Sequence, residues 1–205
     1  MPQPAHSLDP RHPATSPHDL YMTKPPWDID RPQAAFTSLA AAGNLQGRVL
    51  DAGCGTGEHA LLAAGLGCDA VGVDLSADAL DTAQRKARER GLVARFVRHD
   101  ACALPELGEQ FDTVLDSGLF HIFTGTDRTR YTDSLHAVIR PGGGYFLLGF
   151  SDAETRQWGP HRLSRDEITA AFATGWQIDA IEPSVIEING DPGSVAAWLV
   201  ALTRK

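Results

Sequence analysis

From residue 33 onward, short apolar runs alternate with stretches whose apolar positions recur at helical spacing. The runs 48–52, 70–74, 94–98, 111–115 and 145–149 are apolar or β-branched, and their length and punctuation predict strands. Between them, 33–42 reads as a helix stopped by Gly43, and 57–66 as a second helix carrying Ala60, Leu61 and Ala64 on one face. Ser76 caps a third helix that runs to about Arg90, with Leu80, Ala83 and Ala87 aligned. Residues 126–140 form a fourth, with Tyr131, Leu135 and Val138 inward, and Pro141-Gly142-Gly143-Gly144 breaks it. Near-continuous apolar strands alternating with helices predict a parallel sheet covered on both faces. The last third differs. After a helix at 165–173, the apolar stretches 176–181 and 195–202 flank a turn-rich piece, Asn189 to Gly193, which predicts a terminal antiparallel pair closing the sheet edge.

Residues 1–32 break from this pattern. Eight of the chain's 13 prolines fall there, with His6, His12 and His18 isolated among them. Proline removes a backbone donor and fixes φ, so residues 1–20 are expected to be a disordered tail and residues 21–205 a single domain. Histidines standing singly between prolines predict no metal site. Tyr21 and Trp27, in the run YMTKPPWDIDRPQ, are too large and apolar to leave in water. Segment 21–33 is expected to dock on the core or to close over a ligand as a lid, and a docked segment beside a pocket does both.

Composition narrows the function classes. A length of 205 residues suits one domain. A chain 42% hydrophobic and 21% charged folds rather than staying disordered. No apolar run approaches the ~18 residues of a membrane span. A net charge of −8 repels phosphate backbones and argues against a nucleic-acid partner. Cys54, Cys68 and Cys102 are odd in number and match no zinc spacing, and no leader pattern opens the chain. A reducing, cytoplasmic setting is the expectation. The oligomeric state is not legible in the pattern.

The chemistry concentrates in Val49-Leu50-Asp51-Ala52-Gly53-Cys54-Gly55-Thr56-Gly57, a buried strand followed by a glycine turn and a helix. Glycine reaches φ values that other residues avoid and lets backbone N–H groups approach a ligand. Asp74 ends the next strand, where a carboxylate can take both hydroxyls of a ribose. Together they indicate an adenosine-type cofactor at the switch point of a doubly wound sheet. The third glycine comes one residue earlier than in G-x-G-x-x-G, and Glu58 follows it. A carboxylate at that helix start suits a cationic ligand better than a pyrophosphate, as does Asp51 before the turn. S-adenosylmethionine carries a sulfonium and an ammonium and no phosphate.

These segments resemble the class I S-adenosylmethionine-dependent methyltransferases. Asp51-Ala-Gly-Cys-Gly-Thr-Gly57 is similar to their first motif, and Asp74 matches their ribose-binding acid. His99-Asp100-Ala101 is similar to the third motif, Phe111-Asp-Thr-Val-Leu-Asp-Ser117 to the fourth, and Arg140-Pro-Gly-Gly143 to the turn before the fifth strand. The resemblance spans about residues 30–205. It implies an α/β, doubly wound Rossmann-like sheet of seven strands, mostly parallel with an antiparallel last strand. It implies S-adenosylmethionine as cofactor and S-adenosylhomocysteine as product. Cofactor contacts are implied for Asp51, Gly53, Cys54, Gly55, Thr56, Gly57, Asp74, Leu75, Asp100, Ala101, Asp116 and Ser117, with Asp100 on the adenine amino group and Trp27 joining from the lid. The segment from Tyr21 to Gln33 is similar to the bacterial branch related to thiopurine methyltransferases, which includes enzymes for heterocyclic toxins. That implies an O, N or S acceptor atom on a small aromatic or heterocyclic molecule. The tryptophan-rich motif of the thiopurine enzymes proper differs here, so their substrates do not carry over.

The fourth strand runs into Asp116-Ser117-Gly118-Leu119-Phe120-His121, without the Asp/Asn-Pro-Pro-Tyr/Phe motif of base amino methylation. His121 is placed to take a proton, or else it packs between Phe120 and Phe123. Arg128 could hold an anionic acceptor or form a surface ion pair. Tyr131 belongs to the core or reaches the pocket, and Tyr21 and Phe120 are candidate acceptor walls. Trp158 could reach the acceptor mouth or lie in a loop. Three other readings stay open: a methyltransferase for protein or RNA, an NAD-dependent oxidoreductase, and a cofactor-sensing module without catalysis.

Overall fold

A computed structural model describes Tyr21, residues 23–156 and residues 159–205. The expected tail and Trp158 lie outside the described residues. Seven strands form one sheet: β1 (Arg48–Ala52), β2 (Asp69–Asp74), β3 (Ala94–Arg98), β4 (Phe111–Ser117), β5 (Ile139–Phe150), β6 (Trp176–Glu187) and β7 (Ser194–Arg204). Five helices accompany them: α1 (Ala34–Ala41), α2 (Glu58–Gly65), α3 (Ala77–Arg90), α4 (Gly125–Val138) and α5 (Arg165–Ala171). The strand order is β3-β2-β1-β4-β5-β7-β6. β7 runs antiparallel to both of its neighbours, and the other pairings are parallel. This is the doubly wound, seven-stranded sheet that the sequence implied.

The period-2 alternation of strand side chains builds two cores. Val49, Leu115, Phe146 and Leu148 face one side with Phe36 of α1 and Ala63 of α2. Leu50, Val114, Tyr145 and Leu147 face the other, with Tyr131 and Leu135 of α4 and Ile168 of α5. The Ser76 hydroxyl caps α3 by accepting the Ala79 N–H at 3.3 Å, a contact worth about 1 kcal/mol.

One expectation shifts. The Pro-Gly-Gly-Gly run does not separate helix from strand. β5 already starts at Ile139, and the register jumps between Phe111↔Ile139 and Thr113↔Gly144. Proline and glycine are absorbed as a bulge, which re-aims the strand without ending it. At the far edge the expected antiparallel pair closes the sheet, with β7 between β5 and β6 and β6 as the edge strand. Among the described residues no helix is long and apolar enough to cross a membrane, and no cluster of metal-ligating side chains occurs.

Candidate functional site

β1 and β4 are adjacent, while the chain leaves them toward opposite sides of the sheet, so a crevice opens at their C-terminal ends. The glycine turn sits there. Gly53, Gly55 and Gly57 take φ of +68°, +50° and +85°, the left-handed region that side chains rarely enter. The turn is stitched to β2 by the Cys54 N–H on the Val73 carbonyl, at 2.9 Å. A Cβ on Gly57 would come within 2.7 Å of Ala83 Cβ and 2.8 Å of the Phe96 ring. Glycine there permits the close approach of α3 and β3. A Cβ on Gly55 would have the Tyr21 hydroxyl as its nearest neighbour, at 2.5 Å, with the Tyr21 ring behind it.

Asp74 locks this turn from β2. Its Oδ2 accepts the Gly55 N–H at 2.9 Å and its Oδ1 accepts the Ser76 N–H at 2.8 Å. Burial raises its pKa against those N–H groups. Each oxygen keeps a lone pair, which suits the two hydroxyls of a ribose. Asp100, at the end of β3, caps the 3₁₀ segment Ala101–Leu107 by accepting the Cys102 N–H. Ala101 is buried beside it, and Leu75 is exposed next to Asp74.

Asp51 carries the clearest sign of an unfilled interaction. Its Oδ2 accepts the Ala60 N–H at 3.0 Å. Its Oδ1 is buried and has no hydrogen-bond partner. Burial, reinforced by Asp74, Asp116 and Glu58, lifts its pKa to about 7 against the Ala60 N–H. An unpartnered buried carboxylate oxygen behind a glycine turn fits an ammonium group, so these residues fit S-adenosylmethionine. A measurable consequence follows. A cation bound beside Asp51 favours its ionised form and expels the proton held below about pH 7. Affinity for S-adenosylmethionine is therefore expected to fall with pH below that point, by up to about tenfold per unit. Asp51→Asn should flatten the slope. Calorimetric titrations between about pH 5.5 and 7.5 check this, and a slope that survives in Asp51→Asn contradicts it.

Glu58 does not play the role expected of it. Its carboxylate is taken by Lys86 Nζ at 2.8 Å and by both terminal nitrogens of Arg90 at 2.7 and 2.8 Å. Burial works to raise its pKa, but Arg90 and Lys86 prevail and hold it low. The charge is spent on α3 and is not offered to a ligand.

At the end of β4 the structure moves several candidates into the scaffold. Asp116 is fully buried. Its Oδ1 accepts the Leu119 N–H at 2.8 Å, and its Oδ2 accepts the hydroxyls of Tyr131 and Tyr145, both at 2.8 Å. The Phe120 N–H is shared between the two oxygens. Burial lifts the carboxyl to about 6 against these bonds. Asp116 and Tyr131 thus hold the loop after β4 from beneath. Phe120 is fully buried against Phe172 and belongs to the core. The Arg128 guanidinium stacks over Phe120 and donates to the Phe123 carbonyl and to Glu167.

His121 is buried, and its Nδ1 accepts the Phe150 N–H at 2.9 Å. That bond leaves the proton on Nε2, so the neutral ring has no lone pair with which to take another. Burial pushes its pKa down to about 3. The geometry removes the physical basis for His121 as a general base. The loop after β4 instead sets Leu119 against the glycine turn, 3.1 Å from where a Gly53 Cβ would stand, and carries exposed Ile122, while Ser117 at the strand end is half-buried.

Tyr21 and residues 23–33 lie across the turn. Trp27 lies beside the Tyr21 hydroxyl, and the Asp74 and Cys54 side chains are close to it. Tyr21 therefore stands on the glycine turn, beside partly exposed Trp27. Cys54, Gly55, Thr56 and Gly57 are all buried beneath. The segment is also fastened to the β6–β7 hairpin at two places, its Arg31–Gln33 end and the backbone beside Trp27. Arg31 pairs bidentately with Glu187 at 2.9 Å, Gln33 exchanges two hydrogen bonds with the Glu187 backbone, and Asn189 donates to the carbonyls of Pro26 and Asp28. The sequence reading missed Glu187, Asn189 and Lys86. Only Lys86 left a signal, since it falls on the buried face of α3 with Ala83 and Ala87.

Comparison with known proteins agrees with this geometry. Residues 49–143 match a family described as "Methyltransferase domain". A 2-heptyl-1-hydroxyquinolin-4(1H)-one methyltransferase of Mycobacteroides abscessus is 36% identical over 171 residues, covering 82% of this chain and 75% of its own. A solved structure described as "Conversion of a Disulfide Bond into a Thioacetal Group during Echinomycin Biosynthesis" is 42% identical, with a TM-score of 0.80, covering 93% of this chain and 88% of its own. TehB from Haemophilus influenzae, at 16% identity and a TM-score of 0.68 over 82% of this chain and 62% of its own, shares the fold.

Proposed function

The chain belongs to the class I S-adenosylmethionine-dependent methyltransferases, and from that premise we propose that it methylates an O, N or S atom of a small aromatic or heterocyclic molecule. The similarity to a hydroxyquinolone methyltransferase over four-fifths of the chain carries this reading. The mouth of the crevice supports it. Trp27 on the segment over the turn, Leu75 directly after β2 and Ile122 in the loop after β4 are exposed large apolar side chains, which suits a flat apolar molecule. The net charge of −8 favours a small acceptor over a nucleic acid.

Bound at the turn, S-adenosylmethionine supplies an electrophilic methyl group on a cationic sulfur. The chain's own residues align the acceptor and exclude water. Segment 21–33 acts as the lid. His121 and Asp116 both have their acceptor sites engaged, so no free base stands at the end of β4. The acceptor is therefore one that arrives ionised, such as an N-hydroxy heterocycle, an acidic phenol or an aromatic thiol.

The test is a panel of 1-hydroxyquinolin-4-ones, phenols and aromatic thiols, with methylated product and S-adenosylhomocysteine quantified together. An N-hydroxyquinolone is expected to turn over, and its matched quinolone lacking the hydroxyl is not. Across accepted compounds kcat/KM should rise with pH along the acceptor's own pKa, with His121→Gln keeping the same profile. Activity confined to protein or RNA fractions would overturn the proposal.

A further inference from the structure

Behind the glycine turn lies a buried ammonium that the chemistry described so far does not use. Lys86, on α3, has a side chain only 8% exposed. Its Nζ donates to Thr56 Oγ1 at 2.9 Å and to Glu58 Oε1 at 2.8 Å. Thr56 belongs to the turn and Glu58 opens α2. An ammonium has three donors, and those two bonds leave one. It faces Asp30 at 3.4 Å and Asp28 at 3.6 Å, both on the segment that covers the turn. Lys24 adds a further ion pair to Asp30. Arg90 holds Glu58 on its own, so Glu58 does not need Lys86 to stay paired.

The connection also runs over the top. Asp28 follows Trp27 directly, Trp27 neighbours the Tyr21 hydroxyl, and Tyr21 stands on Gly55. Lys86 therefore grips the cofactor turn from below through Thr56 and from above through the segment. We propose that Lys86 is a positioning residue that couples seating of segment 21–33 to the geometry of the glycine turn, so that S-adenosylmethionine binds tightly only when both are in place. The inference rests on the lid reading given above. Glu187 anchors the Arg31–Gln33 end of the segment and Asn189 holds the backbone at Pro26 and Asp28 from the hairpin side, while Lys86 engages the carboxylates of Asp28 and Asp30 from α3.

Calorimetry and tryptophan fluorescence with S-adenosylmethionine test this. Lys86→Met is expected to weaken binding about tenfold, as loss of one charge-assisted contact would. Asp28→Asn/Asp30→Asn should weaken it similarly, and the triple variant should be no worse than the weaker parent, since all three act through one contact. Because Asp30 is exposed, added salt should weaken wild-type binding more than Lys86→Met binding. The binding-induced fluorescence change that disappears in Trp27→Phe should also disappear in Lys86→Met. A purely structural lysine would lower thermal stability while leaving affinity, salt dependence and the Trp27 signal unchanged, and that result overturns the proposal. So do additive losses in the triple variant. If Lys86→Met fails to fold, the aspartate double variant decides, by its affinity and by a salt dependence weaker than that of the wild type. Trp27→Ala separates the two levels. Unchanged affinity there refutes the lid itself, whereas weakened affinity beside an unaffected Lys86→Met refutes only the coupling.

Discussion

Asp74→Ala is expected to bind S-adenosylmethionine at least ~100-fold more weakly than the wild-type protein while remaining folded. Two hydrogen bonds from ribose hydroxyls to a carboxylate contribute roughly 1.5–3 kcal/mol each, and every 1.4 kcal/mol is about a factor of ten. The substitution also strips the Gly55 and Ser76 N–H groups of their acceptor. The turn then loses its tie to β2, which adds to the loss of affinity. The core is untouched, because Asp74 stands at the open end of its strand and is half-buried. Asp74→Asn keeps one carbonyl oxygen and should fall between the two. Calorimetric affinity, with circular dichroism to confirm folding, is the check. An alanine variant within threefold of wild type would mean that the ribose is held elsewhere.

Gly55→Val should be as damaging to binding and mild in its effect on folding. At φ +50° a side-chain residue costs about 1–2 kcal/mol, which for a domain of this size lowers Tm by about 2–8 °C. The new Cβ would have the Tyr21 hydroxyl as its nearest neighbour, the far end of a side chain that can move. The protein folds, but the valine occupies the face of the turn that the ligand must approach, and titration should detect no S-adenosylmethionine binding. Gly57→Val makes the contrast. Its Cβ would strike Ala83 and the Phe96 ring, so that variant should fail to fold. A Gly55→Val protein with wild-type affinity would displace the ligand from the turn altogether.

The strands and helices were legible because their signals are local. Apolar runs of five residues, a serine cap and a glycine turn each act within a few positions, and β1 and β3 begin and end where the pattern placed them. The insertion of β7 between β5 and β6 depends on long-range pairing that no local pattern encodes. The site divides along the same line. Gly53, Gly55, Gly57 and Asp74 were readable because a turn's φ angles and a strand's end dictate residue type. Glu58, Asp116 and His121 were read from position alone, and position does not say which partner a side chain finds. Glu58 found Lys86 and Arg90, Asp116 found two tyrosines, and His121 found a backbone N–H. Tyr21 lies 34 positions from Gly55 in sequence, and their contact forms only when the segment folds back across the sheet.

Thermal unfolding with S-adenosylmethionine, S-adenosylhomocysteine and NADH in parallel tests most directly that the turn between β1 and α2 is an adenosyl-cofactor site. At a ligand concentration 100 times Kd the native state gains about 2.7 kcal/mol, or a rise in Tm of roughly 5–11 °C. A rise with both adenosyl ligands, none with NADH, and none for either adenosyl ligand in Gly55→Val is the expected result. A rise with NADH alone, or an adenosyl-ligand shift that Gly55→Val leaves intact, would contradict it.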